Sequence, residues 1–271
     1  MQVLGIVAPE DTRTLADRVA DRLAERGSVG VVRDGDGSGD ETHHADDSST
    51  PPAGRTGYDL GEDGWRASGP DLSLPDALDR LAREHEYAVV AGFPSARIPR
   101  LVVGDEPCRG EVVYRAPTAD DVDVEAAIDA LADAEPYETL GSLVARVKRS
   151  PEAERAGAIA TFIGRVRARD APDDDRTERL EFERYEGVAE KRLATIRGEL
   201  EARDGVFAVR MHHRTGVIDY GDDIVFVVVL AGHREEAFRA VEDGINRLKA
   251  EVPIFKKEVT DAEEFWVHER P

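Results

Sequence analysis

The chain has 271 residues, 57 Asp and Glu against 36 Lys and Arg, and a formal charge of −21. That length suits one large domain or two ordinary ones, and so acidic a balance argues against nucleic acid as a partner. A single cysteine, Cys108, excludes an intrachain disulfide, no Cys/His spacing suggests zinc, and no metal or cofactor is expected. No apolar run approaches the length of a membrane span, and no charged leader precedes the opening apolar segment, so the expectation is a soluble cytoplasmic protein with no membrane partner. Abundant acid with scarce lysine suits a salt-rich, halophile-like cytoplasm, where bulk charge is screened. The charge is uneven: residues 1–135 hold 29 acids and 13 bases, residues 136–271 hold 28 and 23. The second half is therefore expected to carry a local basic pocket inside an acidic exterior.

In chain order, residues 2–7 read as a short apolar strand, and Leu15, Val19 and Leu23 recur at helical spacing until Gly27 stops the helix. Residues 28–32 read as a second strand. Such a βαβ opening often holds a nucleotide at its first strand-to-helix turn. Here Asp11, Thr12 and Arg13 stand where a phosphate cradle needs glycines and a Lys-Ser/Thr pair, so an ordinary turn is expected. Residues 34–56 are rich in Asp, Gly, Ser and Pro and read as a solvated loop; His43 and His44 within it have no further ligand at metal spacing. A helix over 74–85, buried strands over 87–93 and 98–104, a linker near 117–123 and a helix over 124–132 complete an α/β layer.

The opening strand and helix, a YDL-x4-W stretch at 58–65, a late strand ending in Gly92-Phe93 and the VVGD of 102–105 resemble the molybdopterin-guanine dinucleotide biosynthesis protein B (MobB) family over residues 1–118. The family's P-loop Gly-Lys-Thr is absent around 8–14, and Ala91 replaces an acid before Gly-Phe. The resemblance therefore implies a degenerate P-loop-like α/β domain without appreciable GTP binding.

In the second half a helix over 139–148 ends before Pro151, and residues 158–166 form a strong strand with Gly157 before it and Gly164 inside, a place for a bulge or a close backbone approach. Alternation sends Arg165 and Arg167 to one side. Either they converge on something beyond the strand end, or they pair with Glu181 or Glu183 on the next strand, 180–185. An acidic loop at 169–178, a helix at 188–202, a strand at 206–217 and a fully buried strand at 224–230 follow. His212 and His213 point to opposite faces, so at most one turns inward, and a satisfied structural histidine is the expectation. Gly232-His233-Arg234 then leads from a buried strand into a helix over 235–250, offering N–H groups, an imidazole and a guanidinium to an anion.

Five lysines stand against 31 arginines, and Lys249, Lys256 and Lys257 fall within nine residues. Arginine stays protonated at any ordinary pH, whereas a desolvated lysine, or one beside another cation, can shed its proton and act as base or nucleophile. A lone lysine at a helix end only complements the terminal carbonyls; a cluster in an arginine-using chain points to chemistry. Because the helix breaks before Pro253 and residues 254–258 return as an extended segment, Lys249 and Lys256 are expected to face one space.

GAIATFIGRVR, LEFERYEG, HHRTGVIDYGDDIVFVVVLAGHREEAF, LKAEVPIFKKE and WVHER resemble, in order and spacing, the motifs of the molybdopterin synthase large (catalytic) subunit family, MoaE, across most of 138–271. The resemblance implies an α/β hammerhead (α+β) domain at 136–271, joined through a linker and helix at 119–135 to the domain at 1–118. It implies a homodimer, and a heterotetramer with a small ubiquitin-like (MoaD-like) sulfur carrier whose C-terminal Gly-Gly thiocarboxylate converts cyclic pyranopterin monophosphate into molybdopterin. By position, the family's substrate contacts fall on Arg165, Val166, Arg167, His233, Arg234, Lys249, Lys256, Lys257 and Glu258, and Arg270 adds a cation near the end. Lys249 is expected to act as general acid/base and Lys256 to bind and activate. The alternative is a non-catalytic adaptor that binds the carrier.

Overall fold

The computed structural model describes residues 1–10, 12–35, 56–62, 64–69, 72–169, 171–185, 187–261 and 264–267. His43, His44 and Arg270 lie outside the described residues, as does most of the expected loop at 34–56. The chain divides into two units, Met1–Tyr137 and Glu138–Pro271.

In the first unit the elements run β1 (Gln2–Val7), α1 (Thr12–Ala24), β2 (Val29–Arg33), β3 (Gly57–Gly61), β4 (Gly64–Ser68), α2 (Leu74–Leu81), β5 (Tyr87–Ala91), β6 (Arg100–Val103), β7 (Val112–Ala116) and α3 (Val124–Leu131). Five strands form a parallel sheet in the order β2-β5-β1-β6-β7, while β3 and β4 pair as a separate hairpin. Leu15, Val19 and Leu23 of α1 are buried together with Ala127, Ile128 and Leu131 of α3. The helix expected within or just after a linker is thus part of this unit's core. Its apolar positions form one stripe, and the Asp123 carboxylate caps its start by accepting from the Ala126 N–H. In the turn after β1, the Thr12 hydroxyl donates back to the Ala8 carbonyl at 3.1 Å. The short connection from β5 to β6 is held by Arg100, a fully buried guanidinium that donates to the carbonyls of Phe93, Ala96 and Arg109.

The second unit runs α4 (Leu140–Lys148), β8 (Ala158–Arg165), β9 (Thr177–Arg184), α5 (Val188–Glu201), β10 (Val206–His213), β11 (Gly216–Asp219), β12 (Asp223–Ala231), α6 (Arg234–Glu251), β13 (Ile254–Thr260) and β14 (Glu264–Val267). Two antiparallel sheets result, β10-β12-β8 and β11-β9-β13-β14. Central β12 is apolar on both faces because both are covered. Phe226, Val228 and Leu230 pack with Leu143 and Val147 of α4, while Val225, Val227 and Val229 pack with Ala237, Val241 and Leu248 of α6.

Two expectations change here. The strand read over 206–217 is two strands in different sheets, because Gly216 takes a left-handed backbone (φ 77°) that turns the chain across. The neighbour of β8 is β12 rather than β9, so Arg165 lies opposite Asp223 and does not pair with Glu181 or Glu183. The glycine reading holds at Gly157, where a Cβ would come within 2.6 Å of the Gly232 carbonyl oxygen.

The apolar clusters of the second unit draw only on its own residues. A fragment spanning 136–271 is expected to melt in one cooperative transition, followed by far-ultraviolet circular dichroism; a fragment that lacks such a transition would show that its core is incomplete.

Candidate functional site

Between the end of β8, the sheet of β9 and β13 and the last turn of α6 lies a cavity of about 1120 Å³. Its floor is apolar, with Phe162, Leu180, Phe182, Ile224 and Leu248 among its lining, and its walls carry Arg165, Arg167, Arg169, Lys249, Lys256 and Glu258. Local sequence explains why these groups meet. The Val252 backbone leaves helical geometry (φ −90°, ψ 123°) ahead of Pro253, which ends α6 and lets β13 return beside β9. Lys249 in the final helical turn and Lys256 on the returning strand then share the cavity, as the sequence predicts.

Strand alternation sorts the neighbours of Lys256. Glu258, two residues on, lines the cavity, and its carboxylate accepts from the Thr177 hydroxyl. Lys257 points the other way and pairs with Glu264 at 3.0 Å and Glu181 at 3.8 Å; the Glu264 bond raises its pKa. Lys257 is therefore not among the residues lining the cavity.

Arg165 reaches the cavity while its Nε donates to the Gly221 carbonyl at 3.0 Å and lies 3.6 Å from Asp223. Val166 is buried, its N–H on the Asp222 carbonyl and its own carbonyl accepting from Gly221. These two bonds anchor the backbone between the two arginines. Asp174 and Asp175 of the acidic loop also line the cavity.

His233 and Arg234 do not join this cavity within one chain. His233 is the N-cap of the 18-residue α6 and Arg234 its first residue, fifteen positions before Lys249. At 1.5 Å per residue this is a separation of about 22 Å. Neither residue is among those lining the cavity that holds Arg167 and Lys249.

The description MoaE protein fits residues 134–251 as a family match. A Haloferax volcanii protein named as a probable molybdopterin synthase is 51% identical over 275 residues, spanning 100% of both chains. The chain belongs to the molybdopterin synthase family, MoaE. That membership places it in molybdopterin biosynthesis. The molybdopterin synthase catalytic subunit of Bacillus subtilis is 42% identical over 116 residues, 43% of this chain and 73% of that protein. The front half has a slight likeness to Bacillus subtilis MobB, with 16% identity, a TM-score of 0.37, and coverage of 49% of this chain and 100% of that one.

Several cavity residues escaped the sequence reading, among them Arg169, Asp174 and Asp175 of the acidic loop, Thr177 and His213. Thr177 sits where an acidic loop gives way to a strand, and nothing in its spacing ties it to Glu258. His213 shared the signal of any alternating strand residue. In the structure it lines the cavity, while His212 stacks on Phe226 at 6.4 Å on the opposite face. Burial holds His213 at a pKa of about 4, despite its hydrogen bond to the Arg214 carbonyl, which favours the charged form.

That depression has a sign. Above pH 6.5 His213 is neutral folded and unfolded; between about 6.5 and 4 only the unfolded chain takes up the proton, so stability falls as pH drops through this window. The slope contributed is at most about 1.4 kcal/mol per pH unit. Urea midpoints at pH 7 and pH 5 should accordingly lie closer together in His213→Gln than in the parent chain, and equal spacing in both would refute a buried neutral imidazole.

Proposed function

We propose that the chain is the catalytic subunit of a molybdopterin synthase, transferring sulfur from the C-terminal thiocarboxylate of a small ubiquitin-like carrier to cyclic pyranopterin monophosphate. The observation that carries this reading is the convergence of Lys249, Lys256, Arg165, Arg167 and Glu258 on one cavity from separate elements of the fold. Two guanidiniums suit a phosphate, to which they offer charge-assisted, directional donors. Two lysines over an apolar floor suit proton transfer at the ring carbons that receive sulfur. In this reading Lys249 is the general acid/base, and Lys256 binds substrate and polarises the thiocarboxylate carbonyl. Glu258, oriented by Thr177, offsets the mutual repulsion of Lys256 and the arginines.

The same reading calls for a homodimer, with the carrier completing a heterotetramer. His233 and Arg234 stand about 22 Å from Lys249 along α6, so they reach a substrate phosphate only in the cavity of a second copy. The front unit is read as a scaffold without GTP chemistry, since the phosphate-cradling residues are missing from its first turn.

Lysine-to-arginine changes test the chemistry, because they keep the charge and remove the transferable proton. Lys249→Arg and Lys256→Arg are each expected to lower turnover by roughly 100-fold, whereas Lys148→Arg and Lys191→Arg, on exposed helix positions, leave it unchanged. The measurement is mass spectrometry of molybdopterin formed from purified chain, pyranopterin and thiocarboxylated carrier. Full turnover in both cavity variants, with carrier docking intact, would favour the adaptor.

Subunit mixing tests the shared site. A His233→Ala/Arg234→Ala chain and a Lys249→Arg chain, each inactive alone, should recover about a quarter of wild-type turnover after equimolar exchange, because half the dimers are mixed and each holds one intact site. No recovery despite demonstrated exchange would place both sets of residues in separate roles.

A further inference from the structure

The cavity's cations are all hydrogen-bond donors. A pterin brings more than a phosphate; its fused ring carries N–H groups that need acceptors. The carboxylates on the walls are partly committed, Glu258 to Thr177 and Asp174 to the Ala171 N–H. Asp175 is a third carboxylate on the wall, and the one neutral ring acceptor there among the described residues is His213, the last residue of β10, which lines the cavity at 7% exposure.

The geometry of this imidazole is specific. Its Nδ1 lies 2.7 Å from the Arg214 carbonyl oxygen. A carbonyl only accepts, so Nδ1 carries the hydrogen. The ring stands edge-on to Phe182, with centroids 4.8 Å apart and planes at 74°, which fixes its orientation. Burial keeps the ring neutral, and a neutral imidazole with hydrogen on Nδ1 has a bare lone pair on Nε2. Among the described residues no hydrogen-bond partner meets that nitrogen. If packing against Phe182 were the whole requirement, phenylalanine would meet it without placing a polar ring atom at the cavity wall. Nε2 is thus an acceptor left over at the wall of a site otherwise rich in donors.

We propose that His213 is a substrate-binding residue whose Nε2 accepts an N–H of the pterin ring. The inference rests on the pyranopterin reading above and extends it to the part of the substrate that the arginines do not recognise. A neutral acceptor suits this position better than a carboxylate, which would pair with Lys249, Lys256 or an arginine and cancel the charge that holds the phosphate. It also distinguishes a ring with an N–H donor from one that presents only acceptors, because the mismatched ring would set one lone pair against another and leave both it and Nε2 unpaired.

The test uses the full-length chain labelled with 15N-histidine, and cyclic pyranopterin monophosphate without carrier, so that binding is read without turnover. The Nε2 resonance should start as that of an unprotonated imidazole nitrogen and move toward the hydrogen-bonded range as substrate saturates. Steady-state kinetics with carrier supply the second readout. His213→Asn restores only the bond to the Arg214 carbonyl, whereas His213→Gln can bring a carbonyl oxygen to the place of Nε2. The Asn variant is expected to raise KM about 10-fold with kcat little changed, and the Gln variant to stay within about 3-fold of wild type. An unmoved Nε2 signal at saturating substrate overturns the proposal while molybdopterin formation leaves the synthase reading standing. Asn and Gln variants that match wild type, or that are equally impaired with equally lowered melting temperatures, overturn it as well. A wild-type chain that neither binds pyranopterin nor forms molybdopterin overturns both readings together.

Discussion

The second unit depends on the double burial of β12. A strand covered on one side only would alternate apolar and polar residues; this one runs Ile224 to Ala231 without a polar side chain because α4 lies on one face and α6 on the other. That constraint fixes the seat of α6. Ala237, Ala240, Val241, Gly244, Ile245 and Leu248 form its buried stripe, and Gly244 lets the helix approach until a Cβ there would sit 3.0 Å from Val227. With α6 seated, the position of Lys249 follows from helix length alone, and the proline break that follows sends Lys256 back beside it. The same strand carries β8 along its other edge and so sets Arg165 and Arg167 at the cavity rim.

Around this frame the acidic composition serves as a coat and not as the site. Arg247 bridges Glu199 of α5 and Glu251 of α6, while Arg192 reaches Glu251 from α5. These half-buried to exposed pairs are partly screened and contribute modestly, and they place arginine on carboxylates near the surface. Inside the cavity the balance reverses: Arg165, Arg167, Arg169, Lys249 and Lys256 outnumber Glu258, Asp174 and Asp175. A concave site with an excess of one charge over an apolar floor concentrates field and attracts anions. A net charge of −21 is therefore compatible with an anionic substrate.

The first unit solves a different problem. Its parallel sheet needs a connection from β5 to β6 that passes over β1, and only the segment 92–99 is available. Gly92 and Phe93 take positive φ there, and Arg100 satisfies three carbonyls of the surrounding backbone from a fully buried position. Desolvation lowers the pKa of that guanidinium. No Gly-Lys-Ser/Thr sequence follows β1 in this unit.

Much of this protein was legible in one dimension. Apolar periodicity located the buried strands and α6, the scarcity of lysine singled out Lys249 and Lys256, and the proline between them foretold that they would meet. These are local properties, since they depend on residues a few positions apart and on the geometry of one helix turn or one strand. What the sequence could not decide were matters of which strand lies beside which. The partner of β8, the transfer of β11 to the second sheet and the packing of α3 into the first core are set by long-range burial. The separation of His233 and Arg234 from the lysines needed α6 as a measured rod, and the turning of Lys257 away from Lys256 needed the facing sheet to define an inside. His213 is the clearest case. Its place on an alternating strand was visible, but only the closure of the cavity, with Phe182 against its ring and the Arg214 carbonyl on Nδ1, made one of its two nitrogens available to a ligand.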